Sequence, residues 1–187
     1  MTLVEFEAKL LDIDPEEMAC RIESAGGRRT SEDRLQRRYV FDIDTPPDPA
    51  RWMRLRDDGV RATLAVKHIV HDGIDGTKEV EVSVDDFDQT LLLLQELGYK
   101  PKSYQENRRT SFQLGEVHLE VDEWPLIPPY LELEGPSKEA VLAAADRLGI
   151  EHGRLTGINT VEVYRRYGMD ITDYPELRFD LEGGSHR

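Results

Sequence analysis

Apolar and polar residues alternate with a period of two along much of this chain, which predicts β-strands with two chemically different faces. The first run, 3–11, places Val4, Phe6 and Ala8 on one side and Glu5, Glu7 and Lys9 on the other. Similar runs predict strands at 35–42, 52–56, 61–70, 78–84, 99–105, 108–114, 117–123 and 130–134.

Helical spacing interrupts these runs at a few places. A first helix is predicted after Asp14, which is a suitable N-cap, and Gly26 ends it. A second helix is predicted over 86–97, and a third begins after Ser137 and ends near 148–149. Residues 156–167 have a helical pattern, and 180–187 are a polar tail. The length predicts one domain, 1–179, whose motifs lie within 3–150.

Charged residues share one strand face repeatedly, and two arrangements explain this. The sets are Glu5, Glu7 and Lys9; Arg54 and Arg56; Arg61 and Lys67; Glu79 and Glu81; Glu120 and Asp122; and Glu132 and Glu134. In a sandwich, the apolar faces meet and the charges are ordinary surface. In a closed barrel with the charges inside, helices cover the apolar outer face, and opposite charges must interleave to offset desolvation. The alternation itself leaves both arrangements open.

Composition narrows the functional classes. A net charge of -14 and a pI near 4.8 argue against nucleic acid or an anionic membrane as a partner. Cys20 is the only cysteine, so neither an internal disulfide nor a cysteine-rich zinc site is expected. The N-terminus has no secretory pattern, and we expect a cytoplasmic protein. The sequence allows a homodimer.

The ordered motifs resemble the CYTH superfamily, also called triphosphate tunnel metalloenzymes. Glu5-x-Glu7-x-Lys9 resembles the family's N-terminal E-x-E-x-K strand, and Arg54-Leu55-Arg56 resembles its R-x-R strand. Further matches follow in order at Lys67, Glu79-Val80-Glu81, Arg109, Asp122 and Leu131-Glu132-Leu133-Glu134. The resemblance implies an α+β fold: a closed antiparallel eight-stranded β-barrel with a charged lumen and helices packed outside.

The resemblance also implies roles for these residues. The expected triphosphate ligands are Lys9, Arg54, Arg56, Lys67 and Arg109. The expected ligands of Mg²⁺ or Mn²⁺ are Glu5, Glu7, Asp122, Glu132 and Glu134, and Glu7 and Lys9 are the expected catalytic pair. Glu79, Glu81 and Glu120 are expected to support the lumen, and His118 is a weaker candidate for a lumen role.

One departure from the family pattern concerns positive charge. Where the family often has a lysine, this chain has Asn107, so either the lumen lacks one positive charge or Arg108 replaces it. The leading function is metal-dependent hydrolysis of a nucleoside, inorganic or thiamine triphosphate. The runner-up is cyclisation of ATP to cyclic AMP and pyrophosphate. A non-catalytic polyphosphate-binding module is a third reading, against which the retained glutamates argue.

Overall fold

The computed structural model describes residues 3–181, and eight of its strands close into an antiparallel barrel. These strands are β1 (Leu3–Leu10), β2 (Arg28–Asp42), β3 (Arg51–Asp57), β4 (Ala62–Ile69), β5 (Thr77–Val84), β6 (Pro101–Leu114), β7 (Val117–Glu123) and β8 (Tyr130–Gly135). Neighbours follow the order β2-β3-β4-β5-β1-β8-β7-β6, and β2 pairs with β6 to close the barrel. The predicted fold class is therefore confirmed.

The prediction of separate strands at 99–105 and 108–114 was wrong, because β6 runs unbroken from Pro101 to Leu114. Glu106 and Asn107 stay extended since they pair with Arg37 and Gln36 of β2. β2 is likewise longer than predicted and begins at Arg28. The pairing between these two long strands supplies backbone partners that local sequence cannot reveal.

Three helices begin where their caps predicted. They are α1 (Pro15–Ser24), α2 (Phe87–Glu96) and α3 (Lys138–Arg147). The Asp14 carboxylate accepts a hydrogen bond from the amide of Glu17 at 2.8 Å, and Asp86 and Ser137 cap α2 and α3 in the same way. Each cap satisfies an amide that the first helical turn leaves without a partner.

The hydrophobic core lies outside the barrel, between the strands and the helices. The side chains of Ala8 and Leu133 are fully buried against α1 and α3, in a cluster formed by the outer faces of β1, β6, β7 and β8. Phe41 and Leu55 of β2 and β3 are buried with α2 in a second cluster. The apolar strand faces therefore point outward and the charged faces point inward, since only the outer surface has helices to bury against.

The C-terminal segment closes a gap in the barrel wall. β1 pairs with β5 only over Leu3–Glu5, and beyond that point Thr156 forms an antiparallel bridge with Lys9. The amide of Lys9 donates to the Thr156 carbonyl at 2.7 Å, and the Thr156 amide donates back at 3.0 Å. The chain then forms α4 (Thr160–Arg166), which is shorter than the helix predicted over 156–167 because Thr156 is in this extended bridge.

α4 lies at the end of the barrel where β7 ends and β8 begins. Tyr164 is fully buried beside Trp124 and Tyr130, and its hydroxyl donates to the Pro125 carbonyl at 2.7 Å. A short strand, β9 (Glu176–Leu177), then pairs in parallel with β6. Of the predicted polar tail, residues 182–187 lie outside the described residues. Within 3–181 no helix is long and apolar enough to cross a membrane.

Candidate functional site

The barrel encloses a cavity of about 830 Å³, a size typical of small-molecule sites. All eight strands contribute side chains from their inward faces. The cavity is lined by twelve of the thirteen residues predicted for the site: Glu5, Glu7, Lys9, Arg54, Arg56, Lys67, Glu79, Glu81, Arg109, Glu120, Glu132 and Glu134. The remaining one, Asp122, lies behind this wall. The structure thus gathers the charged strand faces around one space.

Lys9 lies at the centre of an ion-paired group on β1 and β8. Its side chain is only 2% exposed, and its Nζ lies 2.7 Å from Oε1 of Glu7 and 3.2 Å from Oε2 of Glu132. The register places Lys9 opposite Glu132 and Glu7 opposite Glu134. Burial opposes the charge of Lys9, but the two carboxylates raise the pKa of Lys9 above its ordinary value. The ammonium group is therefore charged at every physiological pH.

Two further carboxyls on this wall are less well neutralised. Burial, together with the nearby carboxylates of Glu132, Glu5 and Glu7, raises the pKa of Glu134 to about 7. Burial and a hydrogen bond with Glu79 raise the pKa of Glu5 to about 7, although Lys67 opposes this at 2.9 Å. Among the described residues, no basic group lies within ion-pair distance of Glu134. This wall has surplus negative charge.

Two arginines dominate the inward face of β3. The Arg54 guanidinium lies 3.0 Å from Glu79 and 3.1 Å from Glu81, and Arg56 lies 3.3 Å from Glu81. The neighbouring Arg54 and then burial lower the pKa of Arg56 to about 10. The buried Nε atoms of Arg54 and Arg56 have no hydrogen-bond acceptor within 3–181. The cavity is therefore lined here by two guanidinium groups that pair with glutamates of β5 and still have unused N–H donors.

Asp122 occupies a different position from the other predicted metal ligands. It is 0% exposed, and its carboxylate accepts from Arg109 Nε at 2.7 Å and from Nη2 at 2.5 Å. The Asn107 amide donates to the same carboxylate at 2.8 Å. In this arrangement Asp122 anchors Arg109 from behind, and the metal-binding role predicted for it remains a prediction.

The remaining predicted residues lie on β7 at the cavity wall. Glu120 is partly buried, and burial raises its pKa to about 7, while Arg109 and a hydrogen bond from Ser111 oppose this shift. Its Oε2 has no partner among the described residues. His118 lines the cavity from an exposed position, directly opposite Glu134 in the β7–β8 register. A functional role for His118 stays a prediction.

Sequence reasoning missed several charged residues that line the cavity, and Arg38 of β2 is the most buried of them. Its side chain is 6% exposed and lines the cavity. The alternation could have revealed it. Tyr39 and Phe41 are apolar and point outward, so Arg38, which lies next to Tyr39 in the strand, must point inward. Arg108, which was considered as a replacement for the family's lysine, faces away from the lumen and pairs with Asp33 at 2.9 Å. Arg38, whose guanidinium hydrogen-bonds to Asn107, supplies charge at this place instead.

The C-terminal segment also lines the cavity, which the sequence did not indicate. Asn159, Thr160 and Arg165 of the α4 region are part of the cavity wall. The bridge between Thr156 and the backbone of β1 brings this segment to the mouth of the barrel. Only a contact between distant parts of the chain places it there.

The chemistry of the acidic wall fits a hard divalent cation. Glu5, Glu7 and Glu134 offer carboxylate oxygens only, the donors that Mg²⁺ and Mn²⁺ prefer. Across residues 3–181, no three acidic, histidine or cysteine side chains are already gathered around one point. Glu7 and Glu5 are instead drawn to Lys9 and Lys67. Binding a cation would require these two glutamates to exchange an ammonium partner for the metal.

The CYTH domain profile matches residues 4–163 of this chain. No curated protein is significantly similar in sequence. Among solved structures, a Vibrio parahaemolyticus protein named as a candidate adenylate cyclase has a TM-score of 0.72 at 14% identity, covering 87% of this chain and 98% of its own. The PH1012 protein of Pyrococcus horikoshii has a TM-score of 0.69 at 21% identity, covering 84% of this chain and 98% of its own.

A third solved structure comes from Hippeastrum. It is named as a candidate adenylyl cyclase with a dominant triphosphatase activity, and it has a TM-score of 0.58 at 17% identity, covering 93% of this chain and 100% of its own. At these identities the three structures establish a shared fold. Because the CYTH profile spans most of the sequence and the barrel carries its charged motifs inward, the chain belongs to the CYTH domain family.

Proposed function

We propose that this protein hydrolyses a triphosphate, with a divalent cation, inside the barrel cavity. The observation that carries the proposal is that, within residues 3–181, one cavity holds both guanidinium groups with unused donors and a carboxyl group without a cationic partner. Arg54 and Arg56 present buried donors that lack acceptors, while Glu134 has no cationic partner among the described residues. A metal-bound polyphosphate would satisfy both kinds of group at once, since it carries anionic oxygens and a cation together.

The basic residues divide into two kinds of phosphate ligand. Arg54, Arg56 and Arg109 have planar guanidinium groups that can bridge two phosphate oxygens, whereas the ammonium groups of Lys9 and Lys67 act as point charges. Phosphoryl transfer depends mainly on positioning and charge neutralisation, which these five groups would provide. The strands fix the backbone of these residues, so binding would change the partners of the lysine side chains while the backbone moved little.

Lys9 is the residue best placed to act on the reacting phosphoryl group. It is held between Glu7 and Glu132 at 2.7 and 3.2 Å, and its backbone is locked by Thr156. If Glu7 turned toward a metal, the Lys9 ammonium would keep Glu132 as a partner and could donate the released N–H to a phosphate oxygen. Metal binding by Glu7 and phosphate binding by Lys9 would thus occur together.

Glu5, Glu7 and Glu134 are the residues that would hold Mg²⁺ or Mn²⁺, with Glu132 beside them. When bound, the ion supplies positive charge next to the scissile phosphate and increases the acidity of a nearby water. Glu79 and Glu81 would remain partners of Arg54 and Arg56 and keep those guanidinium groups pointed into the cavity.

The direct test incubates purified protein with Mg²⁺ or Mn²⁺ and with ATP, GTP, thiamine triphosphate or tripolyphosphate, and identifies the products. We expect orthophosphate from at least one of the four. Arg56→Met and Glu134→Gln should each lower turnover at least tenfold, as for loss of one charge-stabilising group in a preorganised site. Absence of product from all four substrates with either metal would refute the proposal.

Two control variants match these changes on the surface. Arg108→Met removes an outward-facing arginine, and Glu116→Gln changes an exposed glutamate in the turn before β7. Both should retain wild-type turnover. A Glu134→Gln enzyme as active as the wild type would contradict the assignment of the acidic wall to a metal.

Cyclisation of ATP is a second candidate, favoured by the size and lining of the cavity. Its volume of about 830 Å³ leaves room beyond a triphosphate, and Trp52 and Ile69 contribute apolar surface at the end near α4. The same assay separates the two reactions, because cyclisation yields cyclic AMP and pyrophosphate and releases no orthophosphate. Formation of these two products from ATP would replace hydrolysis as the assigned activity.

A further inference from the structure

Arg38 is a buried charge that the motif residues do not explain. Its side chain is 6% exposed, and it lies on the inward face of β2 in register with Arg56 of β3 and Gln105 of β6. Its guanidinium carbon lies over the Trp124 ring, 4.6 Å from the ring centroid. The aromatic ring and the strand backbone therefore hold this group in place.

The hydrogen-bond partners of Arg38 are neutral. Its Nη2 donates to the amide oxygens of Asn107 and, at 3.4 Å, of Gln36. No carboxylate among residues 3–181 lies within ion-pair distance of it, and its buried Nε has no acceptor there. Asp122, the acid that could have neutralised it, is already engaged by Arg109. Arg38 is thus a buried cation without a counter-ion.

The neighbouring charges make this arrangement costly. Burial, followed by repulsion from Arg54, Arg56 and Arg109, lowers the pKa of Arg38 to about 9, and Asp122 opposes this only in part. A purely structural arginine would normally have an acidic partner, since a buried charge without one destabilises the fold. A site that binds an anion accepts such a cost before the ligand arrives, because the ligand supplies the missing charge.

We propose that Arg38 is a further ligand of the bound polyanion, and that Asn107 and Gln36 are positioning residues that orient it without neutralising it. The inference rests on the function proposed above and adds a residue to the same site. Its ligand class is a phosphate group of the triphosphate, because in the described part of the chain Arg38 lacks a counter-ion and Arg54 and Arg56 beside it have Nε donors without acceptors. Asn107 has a second role, since its amide nitrogen also bonds Asp122 and so links Arg38 to the anchor of Arg109.

The test compares Arg38→Met with Arg108→Met by calorimetric titration with inorganic tripolyphosphate, with and without Mg²⁺. Both variants remove one arginine from neighbouring strands, but only Arg38 faces the cavity. We expect Arg38→Met to weaken binding about 10- to 100-fold, the range for a charge-assisted hydrogen bond, and Arg108→Met to change it less than about twofold. Arg38→Lys should recover part of the affinity, because it keeps the charge and loses the planar fork.

A stability measurement separates a ligand role from a structural one. Without ligand, the unfolding midpoint of Arg38→Met should equal or exceed that of the wild type, since the variant removes an uncompensated charge. A variant that fails to fold, or that melts well below the wild type, would show Arg38 to be structural and overturn the inference. Equal tripolyphosphate affinity in Arg38→Met and wild type would also overturn it, and would leave the proposed function standing.

Asn107 is tested by a double-mutant cycle. Asn107→Ser should weaken tripolyphosphate binding more in the wild type than in the Arg38→Met background, because only the part of its effect that passes through Arg38 is lost there, while the part that passes through Asp122 and Arg109 remains. Additive losses would show that Asn107 does not act by positioning Arg38. If the wild-type chain binds neither tripolyphosphate nor ATP, the proposed function fails and this inference fails with it.

Discussion

Replacing Glu134 by glutamine should stabilise the ligand-free protein, and by an amount that grows with pH. The pKa of Glu134 is raised from an ordinary 4.5 to about 7, first by burial and then by the carboxylates of Glu132, Glu5 and Glu7. Glutamine has nearly the same shape and hydrogen-bonding reach but cannot ionise. The variant therefore removes only the cost of charging this position.

The sign follows from proton binding in the two states. Between pH 4.5 and 7 the unfolded chain has lost the Glu134 proton while the folded protein keeps it, so wild-type stability falls as the pH rises. Above pH 7 both states are ionised and the cost reaches its full value. The rise in pKa from 4.5 to about 7 corresponds to about 3 kcal/mol, of which roughly 1 kcal/mol is already present at pH 5.5.

Urea unfolding of both proteins at pH 5.5 and pH 8.5, without metal, measures this directly. We expect the advantage of Glu134→Gln over wild type to increase by about 2 kcal/mol between the two pH values. Glu116→Gln, an exposed change of the same kind, should show no pH-dependent difference. An advantage for Glu134→Gln that stays constant or shrinks with rising pH would refute the reasoning about the acidic wall.

Three further predictions follow from the same structure. Adding Mg²⁺ should raise the wild-type melting temperature more at pH 8.5 than at pH 5.5, because the carboxyls must be ionised to bind it, and should have little effect on Glu134→Gln. Lys9→Met leaves two buried carboxylates without their shared cation, so urea unfolding should show a loss of about 3–5 kcal/mol along with lost turnover. Asp14→Ala removes the α1 cap and should cost about 1 kcal/mol in the same unfolding measurement, with turnover unchanged.

The sequence by itself determined the local elements and the family. Alternation located most of the strands, and Asp14, Asp86 and Ser137 marked the helix starts within one residue, because a cap side chain accepts from the backbone amide three residues later. The ordered charged motifs identified the CYTH family, which the profile match confirms. The strands, caps and motifs depend on residues that are close together in the sequence, so the sequence alone predicts them.

Tertiary structure decided which strand face points inward and what each charge contacts. A period of two separates two faces but is the same whether the charged face meets solvent or a lumen, so alternation alone could not choose between sandwich and barrel. Pairing between distant segments decides three features of the site. It places Arg38 in the lumen and Arg108 outside, buries Asp122 behind Arg109, and forms the bridge from Thr156 to Lys9. Contacts of that range are set by how the barrel closes, which no local pattern encodes.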